Sequence, residues 1–384
     1  MKKILLLFSL LISFSLCAED ISVKPAGEGT AESPYLFDRL ENFFWLRDNI
    51  LDMDSNVPVY CKQTKDIDAS ATQKGGDYAW QTIEFKDHLF VYDGQCYTIY
   101  GLEPEEQGAL FGKGYLQLKN IRIHGAEGKK TCGLAKGLYS SSIKNGYLEN
   151  CHIKGLLVGM PALATTVFGS GIVINGCIVE ADIEELKNGA LISECRLFEK
   201  NIIKNTCFKG KIKPTTSTAL LSGLANGITL DIISNTEVTI EDCYFNFDIE
   251  SNPGARYAVG GLIFDVIMFR NTNVVLNIER CYVSGTTDER LENGQAFIYN
   301  LTNIVNTINV KDSFYNETLN LTDKYATLKT EEEMKQKATF KNWDFENIWD
   351  IDEGEGMPYL RCEIPEPMGL MILLLLAFLK SRER

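Results

Sequence analysis

The sequence predicts an all-β chain wound as a solenoid, from two observations. A short strand-like phrase ending in a small residue recurs through the body, and the later copies share a second strand upstream. The phrase reads Tyr147-Leu148-Glu149-Asn150-Cys151-His152-Ile153. It returns around Cys177, Cys207, Cys243 and Cys281, and finally at Ser313, where serine replaces cysteine. The upstream strands begin at Ser222, Gly260 and Gln295, 18 to 21 residues before Cys243, Cys281 and Ser313. Measured on the small residue, the period is 38 residues (243 to 281) and then 32 (281 to 313). Each unit breaks at Asn, Gly and Asp turns into two or three short strands.

One such unit cannot bury its apolar face alone, whereas stacked units share a continuous core. Along a strand, β-branched residues and cysteine alternate with Glu, Asp, Lys and Arg, which places one set inward and the other outward. Cysteine suits a tight inward corner because it is small and apolar. Cys151, Cys177, Cys207, Cys243, Cys281 and Ser313 are therefore expected to form one inward ladder. Strands stack about 4.8 Å apart, and disulfide-bonded Cα atoms lie about 4.4–6.8 Å apart. Packed thiols and coil-bridging disulfides both fit that spacing. Zinc is not expected, since the chain has no Cys-x-x-Cys and no matching histidine pair in sequence.

Two segments flank the body. Lys2 and Lys3 precede an apolar run from Ile4 to Leu16, then Cys17-Ala18 and the acidic Glu19-Asp20. That order is a secretory signal peptide with cleavage expected after Ala18. Cys17 also raises lipidation, although Leu16 stands where that processing needs a small residue. At the other end Pro365-Glu366-Pro367 precedes the 12-residue apolar run Met368 to Leu379 and a basic tail, Lys380 to Arg384. As a helix the run spans roughly 18 Å, short of the roughly 30 Å hydrocarbon core, so Lys380 and Arg382 would have to snorkel. The paired prolines make an extended grip for a processing enzyme.

Composition narrows the function. The chain has 384 residues, a formal charge of −14 and a pI of about 4.9. An acidic surface repels phosphate backbones, which argues against nucleic acid as a partner. The acidic i, i+2 pairs Asp52/Asp54, Asp66/Asp68 and Asp350/Asp352 read first as solvated turns and only second as calcium ligands or paired carboxylates. His88, His124 and His152 are isolated in sequence, and no Gly-x-Ser-x-Gly is present.

Two resemblances sharpen these expectations. The tail, motif then apolar helix then basic end, resembles the PEP-CTERM sorting signal of exopolysaccharide-producing Gram-negative bacteria. It implies an exosortase-type processing enzyme as partner, acting near Pro365-Glu366-Pro367, with the membrane holding the C-terminal helix beforehand. The body is similar to surface proteins with GLUG-type repeats. The carriers are Gly27 to Leu36, the helix-like Leu40 to Ile50, Asp66-Ile67-Asp68, Tyr92-Asp93-Gly94, Gly108 to Gly112, and the Trp343 to Leu360 segment. Tyr92 stands where that pattern has Phe, and spacing is irregular over 120–210. The resemblance implies a right-handed parallel β-helix.

The expected organisation is a signal peptide (1–18), an N-terminal cap with the first coils (19–125), cysteine-bearing coils (126–322), a C-terminal cap (323–362) and a sorting tail (363–384). Short capping helices are expected at Leu40 to Ile50 and at Thr330 to Lys337, the latter over the last open coil. No cofactor is expected. The function expected is that of a non-catalytic exported surface or matrix protein that adheres to cells or associates with exopolysaccharide, first anchored in the inner membrane. A polysaccharide lyase or hydrolase on the same scaffold is the alternative, and a groove lined by carboxylates and basic residues from adjacent coils would favour it.

Overall fold

From Ala109 on, each circuit of the chain lays down one strand on each of three faces, the later circuits add a short fourth ladder (Ala219–Ser222, Tyr257–Gly260, Leu291–Gln295), and successive circuits pair in parallel, making a parallel β-helix. The computed structural model describes residues 21–363, apart from 74–77, 105–107, 215–218, 231–234, 252–253, 269–273 and 303–306. Ala18, Pro365, Glu366, Pro367 and the apolar C-terminal run lie outside the described residues. Among the described residues no helix is long and apolar enough to cross a membrane.

The first face runs from Tyr35–Phe37 to Thr307–Lys311, the second from Ile67–Asp68 to Thr327–Lys329, and the third from the bent strand Ala109–Lys119 to Ile298–Thr302. Like residues stack over like. On the first face the register runs Leu118, Leu148, Ile174, Ile203, Ile240, Ile278, Val310. On the second it runs Ile99, Ile123, Ile153, Val179, Phe208, Phe245, Val283. Apart from partly buried Val310, all of these are closed to solvent or nearly so. Each such side chain contributes about 1.5–3 kcal/mol through burial.

The corner from first to second face is the most regular feature. Its leading residue is left-handed in every coil from Asn120 onward: Asn120, Asn150, Gly176, Asn205, Asp242, Arg280 and Asp312 have φ between 47° and 67°. Asn, Asp and Gly tolerate that region best. The next residue turns inward. There Cys151, Cys243 and Cys281 donate their thiols to the carbonyl two residues back (3.5, 3.2 and 3.3 Å). Ser313 does the same with its hydroxyl at 2.8 Å, and Cys177 more loosely at 3.8 Å. The position selects a small side chain with one donor, which is why Cys and Ser exchange there.

Cys207 does not occupy this column. Thr206 does, donating to the Lys204 carbonyl at 2.8 Å. Cys207 pairs in register with Ile178 and Tyr244 and faces outward. The left-handed Asn205 sets the corner one residue earlier than an alignment on cysteine implies. The inward thiols are thus split into two neighbouring pairs, Cys151 with Cys177 and Cys243 with Cys281, separated by Thr206. No disulfide joins the described cysteines.

Helix α1 (Leu40–Asn49) closes the N-terminal end. It buries Leu40, Phe43, Phe44 and Leu46, and Phe43 meets Phe37, Tyr92 and Trp80 at ring separations of 4.9–6.1 Å. Asn42 Oδ1 takes the amide protons of Asp38 and Arg39 at 3.0 and 3.2 Å, satisfying the chain entering the helix. The C-terminal end differs from expectation. Helix α2 spans only Glu331–Met334, capped by Thr330 and Glu333. Its buried Met334 packs into a second cluster outside the rod, with Phe340, Trp343, Trp349 and Leu360 over Tyr244 and Tyr282. Leu319, Leu321, Tyr325 and Ala326 pack against the interior instead. The segment from Met334 is a strap running back along the corner. Trp343 bonds the Asp312 carbonyl (2.8 Å), Trp349 the Asp242 carboxylate (2.9 Å), and Cys362 Sγ lies 4.0 Å from the Asn205 carbonyl.

Candidate functional site on the second face

Below the strap, the outer side of the second face is open. The strands His152–Val158, Ile178–Leu186 and Cys207–Pro214 stack there in register, so outward residues fall into columns across coils. One column reads Lys154, Glu180, Lys209, the next Leu156, Asp182, Lys211, and a third Val158, Glu184, Lys213. Opposite charges therefore alternate along the rod axis. With the Gly125–Gly128 turn as one wall, these residues, Val158 apart, line an open groove of about 690 Å³.

Its charges neutralise one another locally. Lys213 meets Glu184 at 3.0 Å, Lys154 meets Glu180 at 3.5 Å, and Lys211 pairs with Glu250. Asp182 accepts the Lys211 amide at 2.9 Å. The Glu180 carboxyl is pulled down to about 2, first by His152, whose Nε2 stands 3.5 Å away, and further by Lys154. Lys211 and Lys213 are held above the usual lysine range by Glu250 and Glu184. Glu180, Lys211 and Lys213 are therefore held ionised near neutral pH. General acid catalysis needs a carboxyl kept protonated, and base catalysis by lysine needs a depressed pKa. The shifts of these groups run the other way.

Two histidines treated as isolated in the sequence come together here. The His124 and His152 rings lie 5.3 Å apart at 79°, because the register pairs Arg122 with His152 and His124 with Lys154, which makes the two histidines diagonal neighbours on adjacent coils. Burial pushes His124 down to about 4, and the neighbouring His152, Lys154 and Arg122 add to the shift. His88 lies elsewhere, buried. Only the stacking register brings His124, His152 and Glu180 together; a search for short-range histidine spacing cannot find them.

At least one carboxylate of each acidic pair serves local structure. Asp66 accepts the Thr98 amide at 2.7 Å, Asp68 the Ser70 amide at 2.9 Å, and Asp54 both nitrogens of Asn56. Asp350 pairs with Arg361 at 3.1 Å. Among the described residues no three metal-ligating side chains gather to hold an ion. Exposed Phe168 and the half-buried Tyr139 and Phe198 form a separate aromatic strip, with ring separations of 6.0 and 5.2 Å.

No family model and no curated protein matches the chain. Among solved structures, the chain is similar to one described as a "putative immunoglobulin A1 protease" from Bacteroides ovatus. Identity is 15%, the TM-score is 0.48, and the match covers 89% of this chain and 96% of that one.

Proposed function

We propose that this chain is an exported, non-catalytic surface protein whose second-face groove binds a polysaccharide. The groove carries the reading: it is open and lined across coils by ion-paired lysines and carboxylates that offer hydrogen bonds to hydroxyl-rich chains. The signal-peptide-like start and the Pro365-Glu366-Pro367 tail support export, inner-membrane anchoring and exosortase-type processing, followed by display at the cell surface or release. The likeness to GLUG-repeat proteins is in keeping with that destination.

The same groove favours a second reading, a polysaccharide lyase or hydrolase, because carboxylates and lysines from adjacent coils do converge there. The shifts at Glu180, Lys211 and Lys213 favour binding over turnover. The deciding experiment incubates the purified chain with acidic and neutral polysaccharides, measuring retention and product release. Binding without product, weakened by Lys211→Ala with Lys213→Ala, is the expected outcome. Product formation abolished by Asp182→Asn replaces binding with catalysis, and no retention on any polysaccharide contradicts both.

A further inference from the structure

We propose that Cys207 and Cys362 form a disulfide that staples the C-terminal strap to the rod. The oxidising compartment rests on the export reading above; the pairing rests on geometry alone.

Asn205 and Thr206 take the corner and the inward column, so Cys207 is turned out onto the strap-covered side. It is 1% exposed and shares one cluster with Ile178, Tyr244 and Leu360, the residue two before Cys362. Cys362 is exposed, and its sulfur stands 4.0 Å from the Asn205 carbonyl, at the corner of Cys207's own coil. The strap end thus brings two cysteines 155 positions apart (362 − 207) to one place on the outer surface. Cys61, Cys132, Cys151, Cys177, Cys195, Cys243 and Cys281 all belong to the interior core. Burial holds the Cys132 and Cys195 thiols up at about 12, where the nucleophilic thiolate is scarce. Cys96 is exposed on another coil, beside the Gly94 turn.

The chemistry needs one oxidant, a small-molecule or protein disulfide. The exposed Cys362 thiolate attacks it, forming a mixed disulfide and releasing one thiol. As the strap end breathes, the Cys207 thiolate attacks the Cys362 sulfur and expels the second thiol. Two cysteine thiols and one disulfide become one cystine and two thiols. The link closes a large loop and fixes where the chain beyond Cys362 leaves the rod, beside the Asn205 corner.

The test uses the full chain, purified reduced, then held natively with oxidised glutathione and mapped by non-reducing peptide mass spectrometry. The expected result is a Cys207–Cys362 linked peptide in most molecules, with a melting temperature several degrees above the reduced protein. Cys362→Ala, an exposed change, should abolish both the link and the shift. A Cys362–glutathione adduct that persists, with Cys207 alkylated only after unfolding, overturns the proposal. The same map on protein recovered from cells with thiols blocked at harvest separates the two readings. A link formed in the tube but absent from the cells leaves the pairing intact and counts against export.

Discussion

Trp349 donates its indole N–H to the Asp242 carboxylate at 2.9 Å, across 107 residues of sequence. The same carboxylate is gripped by Arg280 through two 2.8 Å bonds and is 3% exposed. Asp242 and Arg280 are both left-handed corner residues, on adjacent coils. One buried carboxylate therefore locks two corners to each other and the strap to both.

Removing that carboxylate should be costly. Asp242→Ala leaves Arg280 without its buried partner and should destabilise by about 3–5 kcal/mol. Trp349→Phe keeps the ring and loses the donor, costing about 1.5–3 kcal/mol for a bond to a charged acceptor. Urea unfolding of the three proteins checks the order, and limited proteolysis should cut the strap first in both variants.

Thr206 offers a sharper test of what the inward column requires. Its hydroxyl donates to the Lys204 carbonyl and accepts the Cys177 amide at 3.4 Å. Thr206→Val keeps the shape and should cost about 1–2 kcal/mol through the bonds lost. Thr206→Ser should cost less than Thr206→Val, since the donor survives. Equal losses in the two variants would remove the donor argument.

Gly285 sits at φ 124°, and a Cβ there would fall 1.9 Å from the Phe247 carbonyl oxygen. Gly285→Ala should cost roughly 1–3 kcal/mol or more from backbone strain, because the backbone of the adjacent coil has to move. Gly227, whose added Cβ meets nothing within 4 Å, is the control, and Gly227→Ala should be nearly silent.

Acid should weaken the rod in two windows. The His124 pKa is depressed to about 4, so below the ordinary histidine value the unfolded chain takes the proton first. Stability is then full above about pH 6.5 and falls until about pH 4. After allowing for partial exposure, the loss is about 1–2 kcal/mol. Arg122, His152 and Lys154 oppose that proton and Glu180 favours it. Glu180, depressed to about 2, stabilises above the ordinary carboxylate range, and its contribution goes as pH falls toward 2. His124→Gln should shrink the upper window, leaving the share of His88, which burial also depresses, and should leave the lower window unchanged, as read by melting temperature against pH.

The repeat made the solenoid legible, because period-two alternation and a small residue recurring at the corner follow directly from stacking. The N-terminal helix was readable from Leu40, Phe43, Phe44 and Leu46, one apolar face with a ring-lined end to cover. The position of Cys207 was not, because the corner follows the left-handed Asn205 rather than the cysteine, and Thr206 satisfies the same donor requirement. The strap was hidden for a different reason. Trp343, Trp349 and Leu360 carry no periodicity, and their partners Asp242, Tyr244 and Tyr282 lie about 60 to 120 residues earlier. The groove likewise exists only through register: Lys154, Glu180 and Lys209 are unremarkable charges until coils align them.

The register itself is open to direct measurement by spin-label distances, with labels attached by a chemistry that spares thiols. Lys62, Lys204 and Lys311 occupy one outward column of the first face, with Lys204 five rungs and Lys311 eight rungs from Lys62. At about 4.8 Å per rung the Lys62–Lys204 and Lys62–Lys311 separations should be about 24 and 38 Å, each a single narrow distribution. A Lys62–Lys311 distance equal to or shorter than Lys62–Lys204 would mean that the coils do not stack in this order, and the account would be wrong.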